Sequence, residues 1–407
     1  MELSLFVNSM RDPSGLPFYP LVFQALLVLT FAMHITMINL AIGCAFTAVC
    51  EAGKKTAYGL RLARGLGRTL TVTFSIAIVL GVAPLLFVQV IYDPMWYSAN
   101  LMSAFWAMLF LVIVTVAFYS AYGFYLGNSR ATVGDSRLLW GMVAAVMLLF
   151  AGVIMHMLSM EQLNVYEWKN WVLDATGMPD TGGGAFHGVK TGRFLHFVLS
   201  SFAVTGVYLM LYAWYFQNRS DYEPGYLAYV AGKCANMAMA GTVLSIAAGF
   251  WWAGTVPGEF HFMRNAFFLP GAIGGIALLA YLGKVFFNPL KHAPHAAIAM
   301  FLVIFVMCCA REALRMDYVA QAGYSVYDYK LNLDWGSTLL FFASFVMGLC
   351  VLCFPAMVAF RAGRAERDEV VTLDPAIGKR AVAMLIAWFV VVAGLGLVIS
   401  LKNGTLL

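Results

Sequence analysis

The stretch FAMHITMINLAIG, Phe31 to Gly43, places one imidazole, His34, near the middle of an apolar run that extends from about Phe18 to Val49. Crossing a hydrocarbon layer of about 30 Å takes roughly 20 helical residues, and this run is longer than that. A histidine within hydrocarbon costs free energy unless it is paired, so its position there marks a candidate functional site.

Nine further apolar runs follow, near 70–92, 101–125, 138–158, 194–217, 229–254, 264–285, 293–310, 337–360 and 381–401. Hydrophobic residues make up 62% of the 407 and charged residues 11%, with a mean hydropathy of +0.81, which excludes a soluble globular domain. The runs are continuous rather than alternating, so strands of a β-barrel are excluded as well. The expected fold is all-α: a polytopic transmembrane bundle of about ten helices forming one integral membrane domain over residues 1–407.

The basic residues orient it. Placing the N-terminus outside puts 16 of the 25 Lys and Arg in the loops around 54–68, 130–137, 219–233, 284–291 and 361–380, the asymmetry expected of cytoplasmic loops. Both termini are then outside, in a bacterial inner membrane. The formal net charge of +5 reports topology and contact with anionic membrane lipid, and no basic tail or stripe suits nucleic acid. The segment before Phe18 lacks a basic n-region, so the first helix is expected to be retained rather than cleaved as a signal peptide.

Familiar catalytic motifs are absent. CVLC at 350–353 has no following histidine and is not a covalent haem attachment; TGGGAFHG at 181–188 has no following lysine–threonine pair and reads as a turn. What remains is the placement of histidines. His34, His156, His187, His196 and His261 fall in the outer half, next to or within helices, and only His292 and His295 fall inside. Haem b needs axial imidazole or thioether donors, with arginines or backbone donors near its propionates. Arg193 precedes His196 by three residues and shares its helix face, and Arg264 opens the seventh helix. Met155, Met157, Met160, Met237, Met239 and Met263 are possible thioether donors, though methionine is also ordinary packing. A lone membrane histidine can equally hydrogen-bond a carbonyl.

Three stretches carry a resemblance. FQALLVLTFAMHITMINLAIGCAF resembles the first helix of the quinol-oxidising subunit I of cytochrome bd oxidases, GRFLHFVLSSFAVTGVYLMLYAWYF resembles its fifth, and FSIAIVLGVAP is similar to its glycine-rich second. The likeness covers about 17–361, with an extra helix at about 381–401. It implies that His34 ligates one haem b of a pair and that His196 ligates the separate haem b reduced by quinol. The chain departs from the family where oxygen is reduced. From Thr69 to Leu126 the one carboxylate is Asp93; IFVMCCAREALRMDY keeps Arg311 but has no earlier acid; and the methionine expected in the seventh helix is replaced around AFFLPGAIGG. The expectation is therefore a haem b subunit passing electrons between quinol and an outer partner, a periplasmic cytochrome c or iron–sulfur subunit, within a complex of membrane subunits. A bis-histidine haem is expected, with His156 and His196 as the first pairing and His261 as the substitute. A divergent bd-type oxidase and a non-redox anchor remain as alternatives.

The outer segment 159–193, with Glu161, Glu167, Asp174 and Asp180, and the segment 311–336, with Glu312, Asp317, Asp328 and Asp334, read as acidic loops able to dock a basic cytochrome. The tryptophans and tyrosine at 96, 97, 168, 171, 251 and 252 read as an interfacial belt.

Overall fold

The structure, a computed structural model, describes residues 3–133, 137–173, 177–180, 182–184, 186–366 and 369–405. Asp174 and Arg367, which the sequence places in an acidic and a basic loop, lie outside these. A short α1 (Leu3–Ser9) precedes α2 (Pro20–Gly53), α3 (Ala57–Ile91), α4 (Asp93–Met102), α5 (Ala104–Asn128), α6 (Leu138–Leu163), α7 (Trp168–Val172), α8 (Thr191–Phe216), α9 (Pro224–Ala253), α10 (Phe268–Val285), α11 (Pro289–Gln321), α12 (Trp335–Arg364) and α13 (Pro375–Lys402). Ten of these, all but α1, α4 and α7, are long and apolar enough to span a membrane. The chain is an all-α, multi-pass membrane protein, and no strand is formed among the described residues. Ten spans bring both termini to the same side, called here the N-terminal face; the opposite side is the basic face.

Helix starts follow local chemistry. Pro20, Pro224, Pro289 and Pro375 begin α2, α9, α11 and α13, where a missing N–H breaks no hydrogen bond. Thr56, Asp334 and Asp374 cap α3, α12 and α13 by accepting from Gly59, Ser337 and Ala376 backbone N–H groups, which satisfies donors that the first turn leaves orphaned.

Two antiparallel hairpins, α2–α3 and α8–α9, make the most extensive contacts and lean on each other through α2 and α8. Glycine sets how closely they approach. A methyl on Gly206 of α8 would lie 2.3 Å from the Ala238 nitrogen of α9, and one on Gly241 of α9 would lie 2.3 Å from the Ala203 nitrogen of α8. Gly43 of α2 likewise faces Ser201 and Thr205 of α8. In lipid, where apolar surface alone drives no association, such close backbone approach supplies the packing. Around this centre lie α5, α6, α10 and α11, whereas α12 buries no residue and α13 buries only Ala381.

The segment 311–336 departs from the sequence expectation. α11 continues to Gln321, so Glu312 is a buried helical residue rather than part of an acidic loop. Glu161 is also buried, in the last turns of α6. Two carboxylates of the expected docking surfaces therefore face inward.

A test of the packing follows. Gly206→Ala forces α8 and α9 apart and should cost about 1–3 kcal/mol, read as a lower thermal unfolding midpoint in detergent. Gly394→Ala in α13, whose added methyl meets nothing within 4 Å, should leave that midpoint unchanged.

Candidate functional site

His196 sits in the second turn of α8, against α9. Its Nδ1 lies 2.8 Å from the Ser245 carbonyl oxygen of α9. A carbonyl only accepts, so in the neutral ring Nδ1 carries the proton and Nε2 the lone pair. Inside a helix the Ser245 carbonyl already serves the N–H of residue 249, and there the chain has glycine. A methyl on Gly249 would lie 2.8 Å from His196 Nδ1; the missing side chain admits the ring. Nε2 has no hydrogen-bond partner among the described residues, and His196 lines the adjoining cleft.

That cleft runs between α2, α8, α9, α10 and α11 and holds a cavity of about 140 Å³. Its walls are apolar apart from a small set of polar groups that includes Asn39, Ser200, Thr242 and Ser245, with His196, Arg193 and Arg311 as its ionisable donors and Met300 and Met307 among the wall residues. Met307 reaches over α10. A methyl on Gly271 would lie 2.5 Å from the Met307 sulfur, so the glycine in AFFLPGAIGG leaves room for a thioether from the neighbouring helix.

The arginines are under-compensated. Arg193 donates to the Met160 sulfur at 2.7 Å and to Ser159 Oγ at 3.3 Å, while its buried Nε has no partner. Arg311 lies 4.1 Å over the Phe31 ring. Arg315 approaches Glu312 at 3.6 Å and leaves Nη1 unpartnered. The three charges act on one another, with Glu312 as the carboxylate set against them. Buried charge without partners is costly; of the three, Arg193 and Arg311 line the cleft, and their spare donors fit an anionic group.

His34 repeats the geometry of His196 on the other hairpin. Its Nδ1 lies 2.8 Å from the Ala77 carbonyl oxygen of α3, and a methyl on Gly81, four residues later, would lie 2.8 Å from its Cε1. Ala77 and Gly81 thus do for His34 what Ser245 and Gly249 do for His196. Phe31, which carries Arg311 on its face, also packs against the His34 ring at 6.4 Å, so His34 connects through one Phe–Arg pair to the wall of the cleft that His196 lines.

Other expected residues lie elsewhere. His156 is not brought to His196: it does not line the cleft, and its Nε2 accepts the Lys190 backbone N–H at 3.1 Å. In this structure that lone pair is already used, so the expected pairing of His156 with His196 is not formed. His261 and Arg264 are exposed beyond α9, with His261 in a left-handed turn at φ 46°, and neither lines the cleft. Met160 is taken by Arg193, Met263 is exposed, and Met157 is buried in packing around α5 and α6. His187 of the glycine-rich segment is more than part of a turn: it pairs with buried Glu161 at 2.8 Å and stacks on Trp171. No group of three or more His, Cys, Asp and Glu suited to a bare metal ion occurs among the described residues.

No family model matches the chain, and no curated protein is detectably similar to it in sequence.

The charge imbalance is testable without any ligand. Arg311→Met should stabilise the protein by about 1–4 kcal/mol, read as a raised unfolding midpoint. An unchanged or lowered midpoint would mean that the Phe31 stack offsets the buried charge.

Proposed function

We propose that the chain is a haem b membrane subunit exchanging electrons between quinol and a redox partner on the outer side of a bacterial inner membrane, with the N-terminal face outward as the basic loops require. The observation that carries this reading is the pair of imidazoles, each fixed through Nδ1 on a glycine-backed carbonyl with Nε2 left free. A metal-ligating histidine is held in this way, because the bond from the other nitrogen sets tautomer and ring orientation. The unpartnered arginine donors beside His196 suit the two carboxylates of a haem, and the apolar walls suit its ring.

In this reading His196 holds one haem, Arg193 and Arg311 take its propionates, and the second donor is the Met307 thioether rather than a second imidazole. His34 holds another haem within reach of the Phe31–Arg311 pair. Bound there, haem supplies one-electron ferric–ferrous chemistry whose potential is set by its axial ligands and burial. The bd-like resemblance of the first and fifth spans supports the assignment. The outer partner is a cytochrome c or iron–sulfur subunit of the same complex.

Purified protein should show a noncovalent haem b signature as its pyridine hemochrome. His196→Ala should remove one low-spin haem, because a methyl offers no axial lone pair, and His34→Leu should remove a different one and leave the first. Gly249→Ala should mimic His196→Ala in part, by displacing the ring from its carbonyl. Colourless protein with no Soret band would overturn the reading in favour of a non-redox anchor; haem d together with oxygen uptake would replace it with an oxidase.

A further inference from the structure

A second cleft opens on the N-terminal face, beneath the segment that follows α1. This segment is a fixed strap. Leu16 exchanges backbone hydrogen bonds with Lys330 and Asn332, each at 2.8 Å, and Pro17 accepts from Asp334 at 3.0 Å. Gly15, at φ 77°, passes so close to Lys330 that any side chain would strike its carbonyl. Arg11 anchors the other end, with its guanidinium 4.2 Å over Tyr324 and 4.6 Å over Tyr329 and a bond to the Ser325 carbonyl.

Under the strap, Phe23 of α2 and Leu86, Gln89 and Val90 of α3 form the floor. Leu86 is 53% exposed; on the flank of the membrane-spanning α3 that surface faces lipid. Three polar groups converge. Gln89 is half-buried, and its amide has no hydrogen bond among the described residues. Arg11 Nη1 is buried and unpartnered. Asp93 accepts from the Asp12 backbone N–H at 2.8 Å and from the Tyr329 hydroxyl, and a carboxylate has lone pairs for further donors. A buried donor left without a partner is costly, so Arg11 Nη1 argues for a bound polar group, and Gln89 has an amide free to join it.

We infer that this cleft holds the headgroup of quinol, a hydroquinone ring whose hydroxyls meet Gln89 and Asp93 and whose tail leaves past Leu86 and Val90 into lipid. The inference rests on the electron-transfer reading above. The chemistry favours a neutral diol over a phosphate headgroup: the lining carries Asp12 and Asp93 against Arg11, which repels an anion, whereas acceptor, donor and amide together match a ring bearing O–H groups at both ends. Burial raises the Asp93 carboxyl above its ordinary range, against the lowering influence of Tyr329 and Asp12, which suits a group that receives a hydroquinone proton. Gln89 lies eight residues beyond Gly81 on α3, about 12 Å along the axis, so the ring lies near the His34 position.

The test uses full-length protein in nanodiscs and a photoreactive azidoquinone. Label should map to peptides containing residues 10–17 and 86–97, and Gln89→Leu should weaken binding about tenfold, the worth of one or two buried hydrogen bonds, with the haem spectrum unchanged. Label mapping elsewhere, wild-type binding in Gln89→Leu, or displacement by phosphatidylglycerol rather than by unlabelled quinone would overturn the inference. Haem-free protein that still labels here would sink the electron-transfer reading and leave the quinone site standing.

Discussion

A helix in hydrocarbon must satisfy its own backbone, and the imidazoles of this bundle are held by borrowing from that arrangement. The Ala77 and Ser245 carbonyls lie in helices whose ladders already engage them, yet each also receives an Nδ1–H. A carbonyl has two lone pairs, so both bonds coexist provided the residue one turn on leaves space for the ring. Gly81 and Gly249 leave that space. Ring tautomer and ring orientation both depend on this sharing.

The same hairpins explain why charge gathers where it does. His196 fixed with a free Nε2, arginines with spare donors and a thioether set over a glycine line an otherwise largely apolar cleft. Taken alone, the protein tolerates polar groups that would be better solvated. Such tension at a site, compensated by packing elsewhere, is the usual mark of residues kept for chemistry rather than for stability.

Much of the architecture was legible in the sequence, because hydrophobic run length translates directly into membrane spans. The first run, 18–49, corresponds to Pro20–Gly53, and each of the other nine finds its helix. The end of α11 was not legible. Arg311, Glu312 and Arg315 look like loop residues by charge, but they lie inside the protein, where they meet one another, Phe31 and Tyr92. At the site, helical spacing places Arg193 and His196 on one face, and both do line the cleft. The partners of the histidines were hidden because they lie on other helices. Gly43, nine residues after His34, serves the contact with α8, whereas the glycine that matters to the ring is Gly81. His156 looked available because nothing in sequence announces that a backbone N–H from Lys190 will occupy it.

The strap joins residues near the start of the chain to residues 323–334, and this sets an order of assembly. During synthesis the first spans enter the membrane long before their clasp exists. The roof over Gln89 and Asp93 closes only after eight spans have been made, so the cleft beneath it is among the last parts of the molecule to mature, and a nascent chain halted before Tyr324 would expose Arg11 without its aromatic seat.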